Sequence, residues 1–149
     1  MRAVVQRVKW AKVALEGKHY GEIGLGLLVF LGIGKEDQEK DVEYLASKII
    51  NLRIFQDIQG KMNLSLRETE GSMLVISQFT LYGNCRKGNR PSFIEAAPPE
   101  RAEKLYHSFI SSVESQGIST AQGQFQSIME ISLLNDGPVT ILLDSHKLF

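Results

Sequence analysis

Two segments of the chain repeat their apolar residues at helical spacing, each on one face only. In the first, Val42, Leu45, Ala46, Ile49 and Ile50 stand at i, i+3, i+4, i+7 and i+8. In the second, Ala102, Leu105, Tyr106, Phe109, Ile110 and Val113 follow the same rule. A helix with one apolar stripe must bury it against another layer, so this pattern demands a sheet or a second helix beside each. The ends are marked as well. Asp37, Glu39 and Asp41 gather near the start of the first helix, where the dipole favours negative charge. Pro99-Glu100 suits the first turn of the second, because the missing N–H of proline has no partner to lose there. Gly117 is placed as its C-terminal cap.

The rest of the chain consists of short apolar or alternating runs between turn residues. Met1 to Val8 and Lys12 to Leu15 read as two strands, and Glu16-Gly17-Lys18 turns the chain. Leu27 to Leu31 reads as a buried strand, because the glycine-bearing run around it is too short for a core helix. Leu52 to Phe55 and Met73 to Ser77 read as further strands, with a turn at Asp57-Ile58-Gln59-Gly60. After Ser77-Gln78 a long loop containing Pro91, Pro98 and Pro99 is expected. Three strands, Ser119 to Phe125, Ile128 to Leu134 and Val139 to Leu143, close the chain, the last two joined by Asn135-Asp136-Gly137-Pro138. The order predicts one α/β domain over residues 1–149, a mixed sheet covered by two helices; that length builds one core and falls short of two ordinary domains.

Composition removes several function classes. The longest nearly apolar run, Leu25 to Ile33, is nine residues with two glycines, against about 20 for a spanning helix. With no secretory pattern at the start, the cytosol is the expected compartment. Cys85 is the sole cysteine and has no internal disulfide partner. Seventeen basic and 17 acidic residues cancel, which argues against a protein that coats nucleic acid non-specifically. The densest basic cluster, Arg86, Lys87 and Arg90, reads either as a solvated loop or as a local phosphate contact.

Motif searches narrow the field further. Gly24-Leu25-Gly26 lacks the third glycine of a dinucleotide fingerprint, and Gly34-Lys35 lacks the upstream glycine of a P-loop. His19, His107 and His146 are scattered without ligand spacing, so no metal and no cofactor is expected, and a zinc enzyme is disfavoured. There is no Gly-x-Ser-x-Gly elbow. If the chain is an enzyme, its chemistry does not depend on a histidine base. Two unusual segments remain. Ser77-Gln78-Phe79-Thr80-Leu81-Tyr82 sets hydrogen-bonding side chains at the end of a buried strand, an arrangement equally open to a satisfied strand end. Asn135-Asp136-Gly137-Pro138-Val139-Thr140 is turn chemistry leading into a strand. These residues alone imply an α/β domain and nothing more specific.

The two segments, together with Met1-Arg2-Ala3-Val4-Val5-Gln6-Arg7-Val8, Gly21-Glu22-Ile23-Gly24, Asn51-Leu52-Arg53-Ile54-Phe55, Lys61-Met62-Asn63, Arg86-Lys87-Gly88, Arg90-Pro91-Ser92-Phe93 and Ala96-Ala97-Pro98-Pro99, resemble the D-aminoacyl-tRNA deacylases over nearly the full length. The resemblance implies that family's barrel-like fold and hydrolysis of the ester of D-aminoacyl-tRNA, with glycyl-tRNA as an additional substrate. It implies a homodimer in which Gly137-Pro138, as a cis peptide, enters the partner's site and rejects L residues, with Arg7 holding the turn. Ser77 and Phe79 would line the pocket for the terminal adenosine and aminoacyl group. Thr80 and Gln78 would be the catalytic-site polar residues, positioning a substrate whose own 2′-hydroxyl takes part, since no base for a threonine nucleophile is evident. Arg86, Lys87 and Arg90 would meet acceptor-end phosphates. Two other classes stay open: a tRNA-binding module without catalysis, and a general esterase using Thr80 or Ser77. Where the family more often has Ala-Asp-Thr, this chain has Gly83-Asn84-Cys85, which predicts a softer loop. Ser145 to Phe149 lies beyond the motifs and receives no role.

Overall fold

The element that organises the molecule is one that the alternation pattern divides in two. In the computed structural model, which describes residues Met1–Phe149, β1 runs unbroken from Arg2 to Leu15. Met1–Val8 and Lys12–Leu15 are therefore parts of one strand. The lapse in alternation at Lys9 and Trp10 marks a change of partner. Before it β1 pairs antiparallel with β3 (Gly26–Gly32), and after it with β2 (Lys18–Ile23). The β1–β2 link is a two-residue turn in which Glu16 and Gly17 both take positive φ, 49° and 73°, as the right-handed twist of a hairpin favours.

Helix α1 (Glu39–Ile50) and the small hairpin of β4 (Phe55–Gln56) and β5 (Met62–Leu64) lead to β6 (Ser72–Ser77). Helix α2 (Pro99–Ser115) then leads to β7 (Thr120–Gln122) and β8 (Glu130–Asp144). β6 lies parallel to β3, and β7 parallel to β6, giving the order β2-β1-β3-β6-β7 with β8 antiparallel on the free side of β1. Each parallel step crosses over through a helix, the connection that parallel strands need. β3 and β6 are covered on both faces, which is why they read as continuous apolar runs.

The sheet curls and so has two cores. The stripes of α1 and α2 pack on Ala3, Val5, Leu27, Val29, Leu31, Met73 and Val75. On the opposite face Leu28, Leu74 and Ile76 meet Val8, Ala11, Val13 and Ile23 inside the barrel-like curve. The expected mixed sheet with two covering helices is thus present, and no helix is long and apolar enough to cross a membrane. Pro99 opens α2, and Gly117, at φ +85°, follows its cap residue Gln116.

Four further local expectations are corrected. Of the 52–55 segment only Phe55 is strand, and the strand continues to Gln56, because the Ile54 carbonyl turns inward to Arg7 instead of joining a ladder. The 119–125 strand shrinks to Thr120–Gln122. The loop after Gln78 begins with a single 3-10 turn, Phe79–Tyr82. Most consequentially, the two expected strands 128–134 and 139–143 merge into one, β8, which begins only at Glu130, and Asn135–Pro138 is an interruption within it. Val8 pairs with Asn135 and Gln6 with Thr140, so Asp136 to Val139 stand opposite Arg7 alone. The chain bulges out of the ladder and returns to the same edge of β1.

Candidate functional site

The site is built where the buried strand β6 runs out. Leu31 pairs with Ser77, and the Gln78 N–H makes the last ladder bond to the Leu31 carbonyl at 2.8 Å. Beyond it the 3-10 turn lies down on the end of β3 and the residues after it, an approach that glycine permits: a Cβ at Gly32 would stand 3.0 Å from Leu81 Cβ, and one at Gly34 2.6 Å from the Tyr82 hydroxyl oxygen. Tyr82 anchors the turn, donating to Asp37 Oδ2 at 3.2 Å. Burial pushes the Tyr82 phenol up, and the neighbouring Asp37 charge adds to it, so the group stays a donor.

Next to this turn opens a cavity of about 590 Å³. Ser77, Gln78 and Phe79 form one wall, Ala96, Ala97, Pro99 and Ala102 a second, and Phe125 to Met129 a third. None of its lining residues is titratable. Thr80 is not on the wall; it is exposed, and its Oγ1 accepts from Gln78 Nε2. No carboxylate or imidazole is among its hydrogen-bond partners, and a threonine nucleophile needs such a base.

The other expected residues form two separate groups. Arg7, only 4% exposed, sits beneath the bulge of β8. Its Nε donates to the Asp136 carbonyl at 2.9 Å and its guanidinium also donates to the Ile54 carbonyl. The Gly137–Pro138 peptide is cis, as the resemblance implies, and both residues are exposed. Neither they nor Arg7 line the cavity of their own chain.

Arg86, Lys87 and Arg90 occupy the tip of a hairpin-like finger closed by paired hydrogen bonds between Asn84 and Ser92, 2.8 and 3.0 Å. All three are exposed and none forms an ion pair within the chain. The finger reaches the cavity through Phe93, whose ring meets Phe79 edge to face at 5.1 Å. Gly83 lies close against the same ring: a Cβ there would stand 3.0 Å from the Thr80 carbonyl and 3.1 Å from Phe93.

Sequence reasoning missed the third wall. Phe125, Gln126, Ile128 and Met129 show no periodicity or chemical motif that separates them from an ordinary loop. It also missed the hub at Asp37, which looks like a helix-start carboxylate but is buried at 1% exposure. Asp37 takes the Met1 ammonium at 2.5 Å, the Gly34 N–H at 2.6 Å and His146 Nε2 at 3.0 Å. The tail segment from Ser145, which no motif covers, closes over that ammonium, with Ser145 Oγ at 2.6 Å.

Comparison with known proteins agrees with this arrangement. The family profile for D-Tyr-tRNA(Tyr) deacylase matches residues 4–144. The chain is 58% identical to a D-aminoacyl-tRNA deacylase of Thermosipho africanus, over 100% of both chains. It is 61% identical to one of Desulfatibacillum aliphaticivorans, over 97% of this chain and 99% of that one. Among solved structures, the c-Myc DNA Unwinding Element Binding Protein superposes with a TM-score of 0.91 at 41% identity, covering 97% of this chain and 98% of that chain. A probable eukaryotic D-amino acid tRNA deacylase, at 16% identity and a TM-score of 0.84 over 95% and 97% of the two chains, shares the fold. A profile match over nearly the whole length, with identities this high, leaves one conclusion: the chain belongs to the D-Tyr-tRNA(Tyr) deacylase family.

Proposed function

We propose that the protein hydrolyses the ester bond of D-aminoacyl-tRNA, releasing free D-amino acid and tRNA, and rejects L-aminoacyl esters. The observation that carries this reading is the cavity beside Ser77, Gln78 and Phe79, which holds no acid or base of its own. Such a pocket suits a substrate whose terminal 2′-hydroxyl takes part in its own hydrolysis. Backbone N–H groups near Phe79 and Thr80, at the start of a turn where helical donors lack internal partners, would meet the developing oxyanion. Gln78 and Thr80 position the reacting end. Glycyl-tRNA, with no side chain to reject, is a second substrate of the same site. The cytoplasm, where translation supplies the substrate, is the compartment of this reading.

Chirality is read by a homodimer, with Gly137-Pro138 of one subunit in the cavity of the other. Two features support this. The tip is exposed and lies off the wall of its own cavity, and the outward face of β1 and β8 beside it pairs Trp10 with Leu134 and Val4 with Leu142. Leu134 is 47% and Leu142 58% exposed in the single chain, an apolar stripe suited to a matching surface.

The deciding experiment compares hydrolysis of D- and L-tyrosyl-tRNA at matched enzyme, with a small activated D-ester as control. RNA-dependent cleavage of the D form is the expected result. Equal background rates for both forms would leave a binding module, and rapid cleavage of the small ester a general esterase. Within this reading Thr80→Ala retains a substantial share of kcat, within about tenfold of the parent, as removal of one positioning hydrogen bond implies. Inactivity as complete as deletion of the site would reject substrate assistance. Replacing Arg86, Lys87 and Arg90 together is expected to flatten the salt dependence of tRNA binding, by up to about 0.7–0.9 in log–log slope for each phosphate left without its cation. Filter-binding titrations across a salt series measure this, and an unchanged slope removes the finger from the RNA interface.

A further inference from the structure

Arg7 secures the bulge of β8 only on the side that precedes its tip, through the Asp136 carbonyl. The side that follows needs a separate restraint. Pro138 has no N–H, so Val139 supplies the first backbone donor after the tip. That N–H does not return to the β1 ladder, in which Arg7 faces four residues at once. It donates instead to Asn135 Oδ1, at 2.9 Å. The other end of the same amide, Nδ2, donates to Thr140 Oγ1 at 3.2 Å, and Gln6 Nε2 on β1 donates to that hydroxyl at the same distance.

We propose that Asn135 is a positioning residue for the Gly137–Pro138 tip: its side chain ties the residue before the bulge to the two residues that follow the tip, Val139 and Thr140, with Thr140 and Gln6 fixing the amide plane. This rests on the reading that the tip selects D over L esters in the partner subunit. Arg7 and Asn135 then hold opposite flanks of one loop, and neither touches the reacting atoms. The arrangement accounts for the polar ends of the Asn135–Thr140 segment, which the chirality filter alone leaves without a task. It also specifies what the side chain must provide. The essential contact is an acceptor at Oδ1, which aspartate retains and alanine removes. Thr140 in turn contributes one oxygen that accepts from both amides, and valine has none.

The test measures kcat/KM for D- and L-tyrosyl-tRNA with the parent protein, Asn135→Ala, Asn135→Asp and Thr140→Val, alongside thermal unfolding of each. Asn135→Ala is expected to lower the D-to-L ratio about tenfold, the equivalent of one good hydrogen bond, through the D-substrate kcat and the L background more than through KM. Asn135→Asp restores most of the ratio, and Thr140→Val shifts it in the same direction as alanine but less. A destabilised but intact fold would lower both rates together and leave the ratio alone. An unchanged ratio in Asn135→Ala, or an aspartate variant no better than alanine, overturns the proposal. Should Asn135→Ala fail to fold, Thr140→Val decides, and a parental ratio there overturns it. A parent protein without D preference defeats the proposed function itself, which the first arm reads independently.

Discussion

Asp37→Ala is expected to lower stability by about 3–5 kcal/mol, the penalty that follows when one partner of a buried charge pair is removed. The Met1 ammonium it meets is fully buried, and Ser145 Oγ would remain its neutral partner. The Gly34 N–H and the Tyr82 hydroxyl would lose their acceptor at the same time. For a chain of this size the change corresponds to roughly 10 °C in Tm, readable by calorimetry or by circular dichroism melting. Activity falls too, because Tyr82 closes the turn that carries Phe79. Asp37→Asn keeps an acceptor for Gly34 and Tyr82 but not the negative charge, and is expected to lie between parent and alanine. A shift in Tm below about 2 °C for Asp37→Ala would show that the hub contributes little.

Gly137→Ala acts on function rather than stability. Gly137 has φ +134°, a region that residues with a Cβ rarely enter. An added Cβ would also stand 2.7 Å from the Arg7 guanidinium and 2.9 Å from Val139 Cγ2. Gly137 and Pro138 at the tip are exposed in the single chain, so the strain of about 1–3 kcal/mol is partly relieved by displacement of the tip. Displacement is the damaging outcome. A misplacement on the order of 1 Å in a positioned group can lower rate about 100-fold. The expected result is a decrease of that order in D-tyrosyl-tRNA hydrolysis, with Tm lowered by only a few degrees. Parental kcat/KM in a folded Gly137→Ala protein would remove the tip from the reaction.

Much of this molecule is written in local pattern. The stripes of Val42 to Ile50 and Leu105 to Val113 predict both helices and the faces they bury, because helical periodicity is a property of a single segment. The apolar runs of β3 and β6 are legible for the same reason, as is the turn at Glu16 and Gly17. Ser77 to Phe79 and Gly137-Pro138 stand out because their residue types are unusual for the positions they hold. Boundaries are less legible. The pattern divides β1 at Lys9 and Trp10, where alternation lapses because the register to β8 shifts between Val8 and Trp10 although the strand runs on. It divides β8 at Asn135 to Pro138, where turn residues do not reverse the chain but carry a bulge packed around a buried arginine.

What the sequence by itself determined is the set of elements, the covered faces and, through motif resemblance, the family. The tertiary structure decided which distant residues share a surface. It placed the loop of Phe125 to Met129 across a cavity from Ser77, moved Thr80 off that cavity's wall, and brought Met1, Asp37, Tyr82 and His146 together. It also joined Asn135 to Thr140 and Arg7 into one clasp outside their own cavity. The physical reason is that side-chain periodicity reports burial within a segment, whereas a cavity wall or a buried ion pair is set by strand order and curvature, which connect residues far apart in the chain.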